Sequence, residues 1–201
     1  MVYAMLTSPY EWERVPVFPH ELVEKQIRGV PLQQSDIPWE PRLAGPFKVP
    51  DLCIPTEGFI FASDGGRKAL EELAPGCVAY FPLNLQVPES MHPAKAYWFV
   101  EVTARAQHID WDRSETVQRV VRAPDGRESR ALSGGIWGKS IKFKAASPDL
   151  PPLWREADLD RPTVHYFLNK GVIFMRDEVW EALNARFPGQ LRARKPAERQ
   201  V

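Results

Sequence analysis

The chain has no long hydrophobic run, no surplus of either charge and almost no cysteine. No apolar stretch approaches the roughly 20 residues that carry a helix across a bilayer, so no membrane-spanning helix and no membrane partner are expected. Lys plus Arg and Asp plus Glu both number 26 in 201 residues. That balance argues against a general binder of nucleic acid or anionic membrane, and equally against an acidic mimic of DNA. Two cysteines, Cys53 and Cys77, are too few for the disulfide framework of a secreted scaffold. Cys77, beside Val78 and Tyr80, reads as a buried thiol. The opening segment MVYAMLTSPYEWERVPVF lacks the basic stretch and apolar core of a signal peptide. The expected location is the cytoplasm.

Signatures of catalysis are also scarce. There is no GxSxG elbow, HExxH helix, CxxC pair or cysteine–histidine pattern. Residues 133–140, SGGIWGKS, end like a phosphate-binding loop. Ser133 stands where the first glycine belongs, Trp137 fills the cradle, and an alternating strand follows instead of a helix. A glycine-rich turn is the simpler reading. His108, Asp110 and Asp112 would share one side of an extended segment, a face that hard-to-borderline metals use. The simpler reading is a strand edge with Ile109 and Trp111 buried. His20, His92 and His165 are scattered. No catalytic residue, metal site or cofactor is assigned, and the chain is read as a non-enzyme. The alternative is a small-molecule or metal-dependent enzyme built on His108, Asp110 and Asp112.

What is present is an ordinary globular composition, 44% hydrophobic and 26% charged, with an excess of proline (20) and tryptophan (7). The prolines cluster at 9–55 and 148–162, where long regular elements are excluded. The expected organisation is a Pro-rich N-terminal segment, 1–54, packed on an α+β domain, 55–194, with a frayed basic tail, 195–201. Trp98 and Trp180 fit core positions in a strand and a helix. Trp12, Trp39 and Trp154 read as loop residues beside charges. With Trp137, Asp110 and Asp112 they form the candidate partner-binding set, because tryptophan buries much area at low entropic cost.

Pattern along the chain predicts strands at 2–6, 58–62, 77–83, 95–104, 136–144, 164–168, 171–175 and 191–194, with 115–122 open between strand and short helix. Residues 123–126 read as a turn, and 169–171 as the turn of a hairpin. Helices are expected at 20–28, ending at Gly29, at 67–73 and at 178–187. The result is an α+β fold, mostly antiparallel, with two or three helices. One strand–cap–helix unit occurs twice, from Gly58 and from Gly171. Eight positions coincide at a constant offset of 113 residues: Gly58/Gly171, Ile60/Ile173, Phe61/Phe174, Asp64/Asp177, Ala69/Ala182, Leu70/Leu183, Pro75/Pro188 and Gly76/Gly189. Ser63 or Asp64 would cap the first helix and Asp177 the second. Two copies are too few for a solenoid.

The order of three segments carries a resemblance. They are FIFASDGGRKALEELAPGCVAYFPL with YWFVEVT after it, then HIDWDRSE, then FLNKGVIFMRDEVWEALNARFPG. Together they resemble immunity-protein family eleven of bacterial polymorphic toxin systems. Ser63 and Asp64, residues 110–114 and residues 174–182 stand at that family's motif positions, over roughly 55–194 of the chain. Arg176 stands where the family pattern has Ser before the second cap. The resemblance implies a protein that binds and neutralises a cognate toxin, a type VI or contact-type effector, without turnover. The partner would be that toxin in a heteromeric complex, not nucleic acid or membrane. A third reading is a scaffold that self-associates, for instance as a homodimer, through its β edges.

Overall fold

In a computed structural model, the described residues are 2–6, 12–14, 21–22, 25–26, 29–37, 42–43, 50–54, 59–86, 96–110, 112–114, 116–119, 129–132, 142–145, 147–157 and 172–194. The expected turns at 123–126 and 169–171, the strand at 164–168, and both Gly58 and Gly171 lie outside them.

Two sheets carry the architecture. The first has the order β4 (Leu52–Cys53), β5 (Ile60–Ser63), β7 (Tyr97–Val102), β6 (Val78–Leu83), antiparallel throughout. The second has the order β13 (Arg192–Arg194), β1 (Val2–Leu6), β12 (Ile173–Arg176), β11 (Leu153–Glu156), β8 (Arg105–Ala106). Its pairs are antiparallel except β8 on β11, which is parallel. Two small ribbons stand apart: β2 (Trp12–Arg14) with β3 (Arg42–Leu43), and β9 (Thr116–Arg119) with β10 (Ser129–Leu132). Within the segment left open between helix and strand, Thr116–Arg119 is therefore strand. Helix α1 (Asp64–Leu73) follows β5, and α2 (Asp177–Arg186) follows β12. Two helices on mostly antiparallel sheets make this the α+β class. Glu21, Leu22, Lys25 and Gln26 are also helical, and Gly29 leaves that helix at φ +66° with the Val30 N–H donating to the Lys25 carbonyl (2.9 Å).

Strand alternation explains why the first sheet is buried on both faces. Ile60, Ala62, Val100 and Val102 face one core, with Ala69 and Leu70 of α1. Leu153, Ile173 and Met175 of the second sheet and Val179 and Leu183 of α2 complete that core. Cys53, Phe59, Phe61, Tyr97 and Phe99 face the other way, onto Leu22, Leu32 and Ile37. Phe99 is ringed by Phe59, Phe61 and Phe81 at 5.7, 6.2 and 6.3 Å. Burying one such ring stabilises the fold by about 1.5–3 kcal/mol. Both cysteines are free and buried, and burial pushes the Cys53 thiol above its ordinary value.

The segment 1–54 does more than pack on a finished domain. β1 is an inner strand of the second sheet, paired on both sides, and β4 pairs directly with β5. A boundary at residue 54 would cut both sheets, because hydrogen-bonded neighbours in a sheet need not be neighbours in sequence.

The helix starts also differ from expectation. Ser63 is the N-cap of α1, and its hydroxyl accepts from the Gly66 N–H (3.2 Å). Asp177 is not the cap of α2; the N-cap is Arg176, which makes no side-chain cap bond. Asp177 sits in the first turn, where its charge meets the helix dipole. Both helices stop alike, with Gly76 at φ +73° and Gly189 at φ +74°, a conformation that glycine adopts without strain.

Candidate functional site

Among the described residues, a set of buried polar side chains lies where the chain crosses from one sheet to the other. β7 ends at Val102, and three residues later β8 pairs with β11, Arg105 opposite Arg155. Glu101, on β7, is 4% exposed and Arg155 is 2% exposed. Arg105 approaches the Glu101 carboxylate at 3.6 Å and Arg155 approaches it at 3.7 Å. The Gln26 side-chain amide donates to the same carboxylate. Arg105 also donates to the carbonyls of Gln26 (3.1 Å) and Ala104 (3.2 Å). One buried carboxylate of the first sheet thus holds two guanidiniums of the second. Burial and then the Arg155 charge lower the pKa of Arg105, while Glu101 opposes the shift. Burial lowers that of Arg155, again against Glu101. Both stay charged, because an arginine starts far above neutrality.

Next along β11, the buried Glu156 carboxylate accepts from the backbone N–H of His108 (2.9 Å) and of Ile109 (2.8 Å). That fixes the segment after β8 against the second sheet. His108 itself is buried, stacked on Phe143 at 5.4 Å and edge-on to Trp154 at 6.0 Å. Trp154 stacks in turn on Phe174 at 5.7 Å. Burial above all, with the Lys144 charge among the lesser causes, holds the His108 imidazole below its usual pKa.

Residues 108–110 and 112–114 form a clamped turn. Ile109 bridges Phe143; Asp110 N–H donates to the Lys142 carbonyl (2.9 Å) and Lys144 N–H to the His108 carbonyl (2.8 Å). The Asp110 carboxylate accepts from the Arg113 N–H (3.1 Å). The Ser114 hydroxyl donates to the Asp110 carbonyl and accepts from the Lys142 N–H (3.0 Å). His108, Asp110 and Asp112 therefore do not converge: His108 points into an aromatic stack, Asp110 closes a turn and Asp112 is exposed. Among the described residues no three His, Cys, Asp or Glu side chains are grouped to hold a metal.

The tryptophans separate as well. Trp154 is not a loop residue; it lies in β11 and is fully buried, so as folded it offers no surface to a partner. Trp12 lies in β2, and its side chain is outside the described set, as are Trp39, Trp111, Trp137 and the glycine-rich segment 133–140. Trp98 and Trp180 are only partly buried, and Trp180 packs against the core rather than in it. The indole of Trp98 donates to Asp64 (2.8 Å), and the Arg67 guanidinium lies 4.5 Å over its ring.

Sequence reasoning missed Glu101, Arg105, Arg155 and Glu156. The signal was there for three of them. A lone Glu inside YWFVEV, and Arg-Glu closing LWRE, break the apolar run of strands buried at every position of the second and at all but one of the first, and a charge in such a place needs a partner. What could not be read was which charges meet. No protein-family model and no curated protein matches the chain.

Proposed function

We propose that the chain is an immunity-type binding protein, which neutralises a cognate toxin, a type VI or contact-type effector, by holding it in a heteromeric complex inside the producing cell. The observation that carries this reading is the use made of the residues behind the family resemblance. Ser63 caps α1 and donates to Asp51 (2.5 Å). Asp110 and Ser114 pin the turn to Lys142. Phe174 lies in the buried aromatic stack. Each has a scaffold role, which is what a family of binders sharing a frame and varying its surface requires.

Stoichiometric binding fits a molecule whose buried ionic groups are spent on holding its frame together. The Glu101 carboxylate is engaged by Arg105, Arg155 and Gln26, and Glu156 by two backbone amides. Among the candidate partner residues with described side chains, Asp112 is exposed and Asp110 is partly so. They sit on a clamped turn, and a preorganised loop loses less entropy when it docks.

The test is co-expression with the product of the adjacent gene. Restored growth of cells making that product, with co-purification of the two proteins, is the expected result. No rescue and no complex would remove the reading.

A further inference from the structure

The repeat in the sequence covers one strand and one helix, but the pairing registers extend it. In the first sheet, Leu52 lies opposite Ala62 and Cys53 opposite Phe61. In the second, Leu153 lies opposite Met175 and Trp154 opposite Phe174. Ala62 and Phe61 are the residues 113 positions before Met175 and Phe174, so β4 and β11 occupy the same place.

The inner strands agree too. β7 sets Tyr97, Trp98, Phe99 and Val100 opposite Ser63, Ala62, Phe61 and Ile60. β1 sets Val2, Tyr3, Ala4 and Met5 opposite Arg176, Met175, Phe174 and Ile173. On their far side, Phe99, Val100 and Glu101 meet Phe81, Tyr80 and Ala79, while Ala4, Met5 and Leu6 meet Arg194, Ala193 and Arg192. The same 113-residue offset relates Ala79, Tyr80 and Phe81 to Arg192, Ala193 and Arg194. Every shared pairing falls in the same register.

We infer that the chain is a tandem of two copies of one unit, four strands and a helix, in which the second copy is circularly permuted: its closing strand, β1, stands first in chain order, and the slot between β12 and β13 is an acceptor for a separable extended strand. In the first copy the chain runs β4, β5, α1, β6, β7. In the second it runs β11, β12, α2, β13, and the closing strand comes from residues 2–6. The topology makes the transfer simple. β1 and β13 are antiparallel and Arg194 lies opposite Ala4, so chain continuing past Arg194 reaches the Val2 end of β1. β6 and β7 are joined in just that way, across residues 84–96.

The slot takes its strand by backbone hydrogen bonds on both sides, which is how a sheet accepts an added chain. Its occupant is residues 2–6 of this chain, and the rest of the second copy presents two facing strand edges to it. No covalent neighbour of β1 belongs to that copy.

The experiment transposes the strand. Residues 2–6 are removed from ahead of β2 and placed behind Arg194 through a linker of roughly ten flexible residues, keeping all the others. The expected chain folds, with native circular dichroism and an unfolding midpoint within about 5 °C of the parent, since permutation at a matched turn is tolerated. In a second arm, the full chain carrying Ala4→Pro, whose own strand can no longer complete the ladder, is titrated with a fluorescent peptide containing VYAML. Saturable binding to that variant, at least tenfold tighter than to the parent, is expected and by itself supports a separable strand. A transposed chain that does not fold, together with no peptide binding by the Ala4→Pro chain, overturns the inference.

Discussion

The two helix-bearing units share a backbone plan and differ in how they are closed and fastened. The first closes with β7, which follows its own helix along the chain; the second closes with β1, which comes from ahead of everything else. At the helix start, the first uses a serine hydroxyl on a backbone amide, while the second uses Arg176, whose guanidinium reaches back to the carbonyls of Pro148 and Leu150. At the next turn, the first has Gly66 pressed on Asp51 where the second has the buried side chain of Val179, and Arg67 stacked on Trp98 where the second has Trp180. The lesson is that strand register and helix length tolerate wide exchange of side chains, provided each site finds some other way to satisfy its polar groups.

The units meet at Glu101, and breaking that meeting should have the largest effect. Glu101→Ala leaves two guanidiniums, one of them 2% exposed, without their carboxylate. A loss of about 3–5 kcal/mol is expected from chemical denaturation; less than 1 kcal/mol would mean that the two sheets are held by their apolar core alone.

Gly66→Ala sharpens the contrast at the helix start. An added Cβ would lie 2.1 Å from the Asp51 carbonyl oxygen, so α1 must shift from β4. About 1–3 kcal/mol of destabilisation is expected, and a neutral result would refute the close approach. Ser63→Ala should then cost about 1 kcal/mol through the lost cap. Arg176→Ala, at the matching place, removes a link to the loop before β11 and leaves the α2 start no less capped than before. Hydrogen exchange should show the difference, with faster exchange at α1 in the first variant and at 147–152 in the second.

A pH dependence belongs to the second sheet. Burial keeps the His108 pKa in the folded chain below the ordinary 6.5, so the unfolded chain binds its proton more readily. Stability is therefore full above about pH 6.5 and falls as the pH drops from there through the folded value. His108→Phe, which keeps an aromatic ring against Phe143 and Trp154, should flatten that part of the profile. An unchanged slope between about pH 7 and 5 would assign the effect elsewhere. The smallest change is expected from Arg186→Ala, which removes the 2.9 Å ion pair with Glu72 between the two helices. Both partners are exposed and solvent screens them, so the melting temperature should not move measurably.

Much of the frame could be read from residue order alone. The strand IFAS, its helix and the stop at Pro75 and Gly76 follow from alternation, a capping serine and a glycine at positive φ. The strand VYAML was legible as a strand, but not as the inner strand of a sheet, paired with Ile173–Arg176 on one side and Arg192–Arg194 on the other, because nothing local encodes a distant register. His108 failed as a candidate for the same kind of reason. Alternation placed it on a polar face with Asp110 and Asp112, whereas Phe143 and Trp154, from distant segments, enclose it.

The sequence by itself determined the class: balanced charge, a buried thiol at Cys77, short apolar strands and two like helices, since each of these depends on composition or on neighbours within a turn or two. Tertiary structure alone decided that Glu101 joins Arg105 to Arg155, that Trp154 is buried, and that residues 2–6 complete the unit containing α2. Those outcomes depend on which strands lie side by side, and strand pairing is settled by the combined burial of whole sheets, not by any one segment's preference.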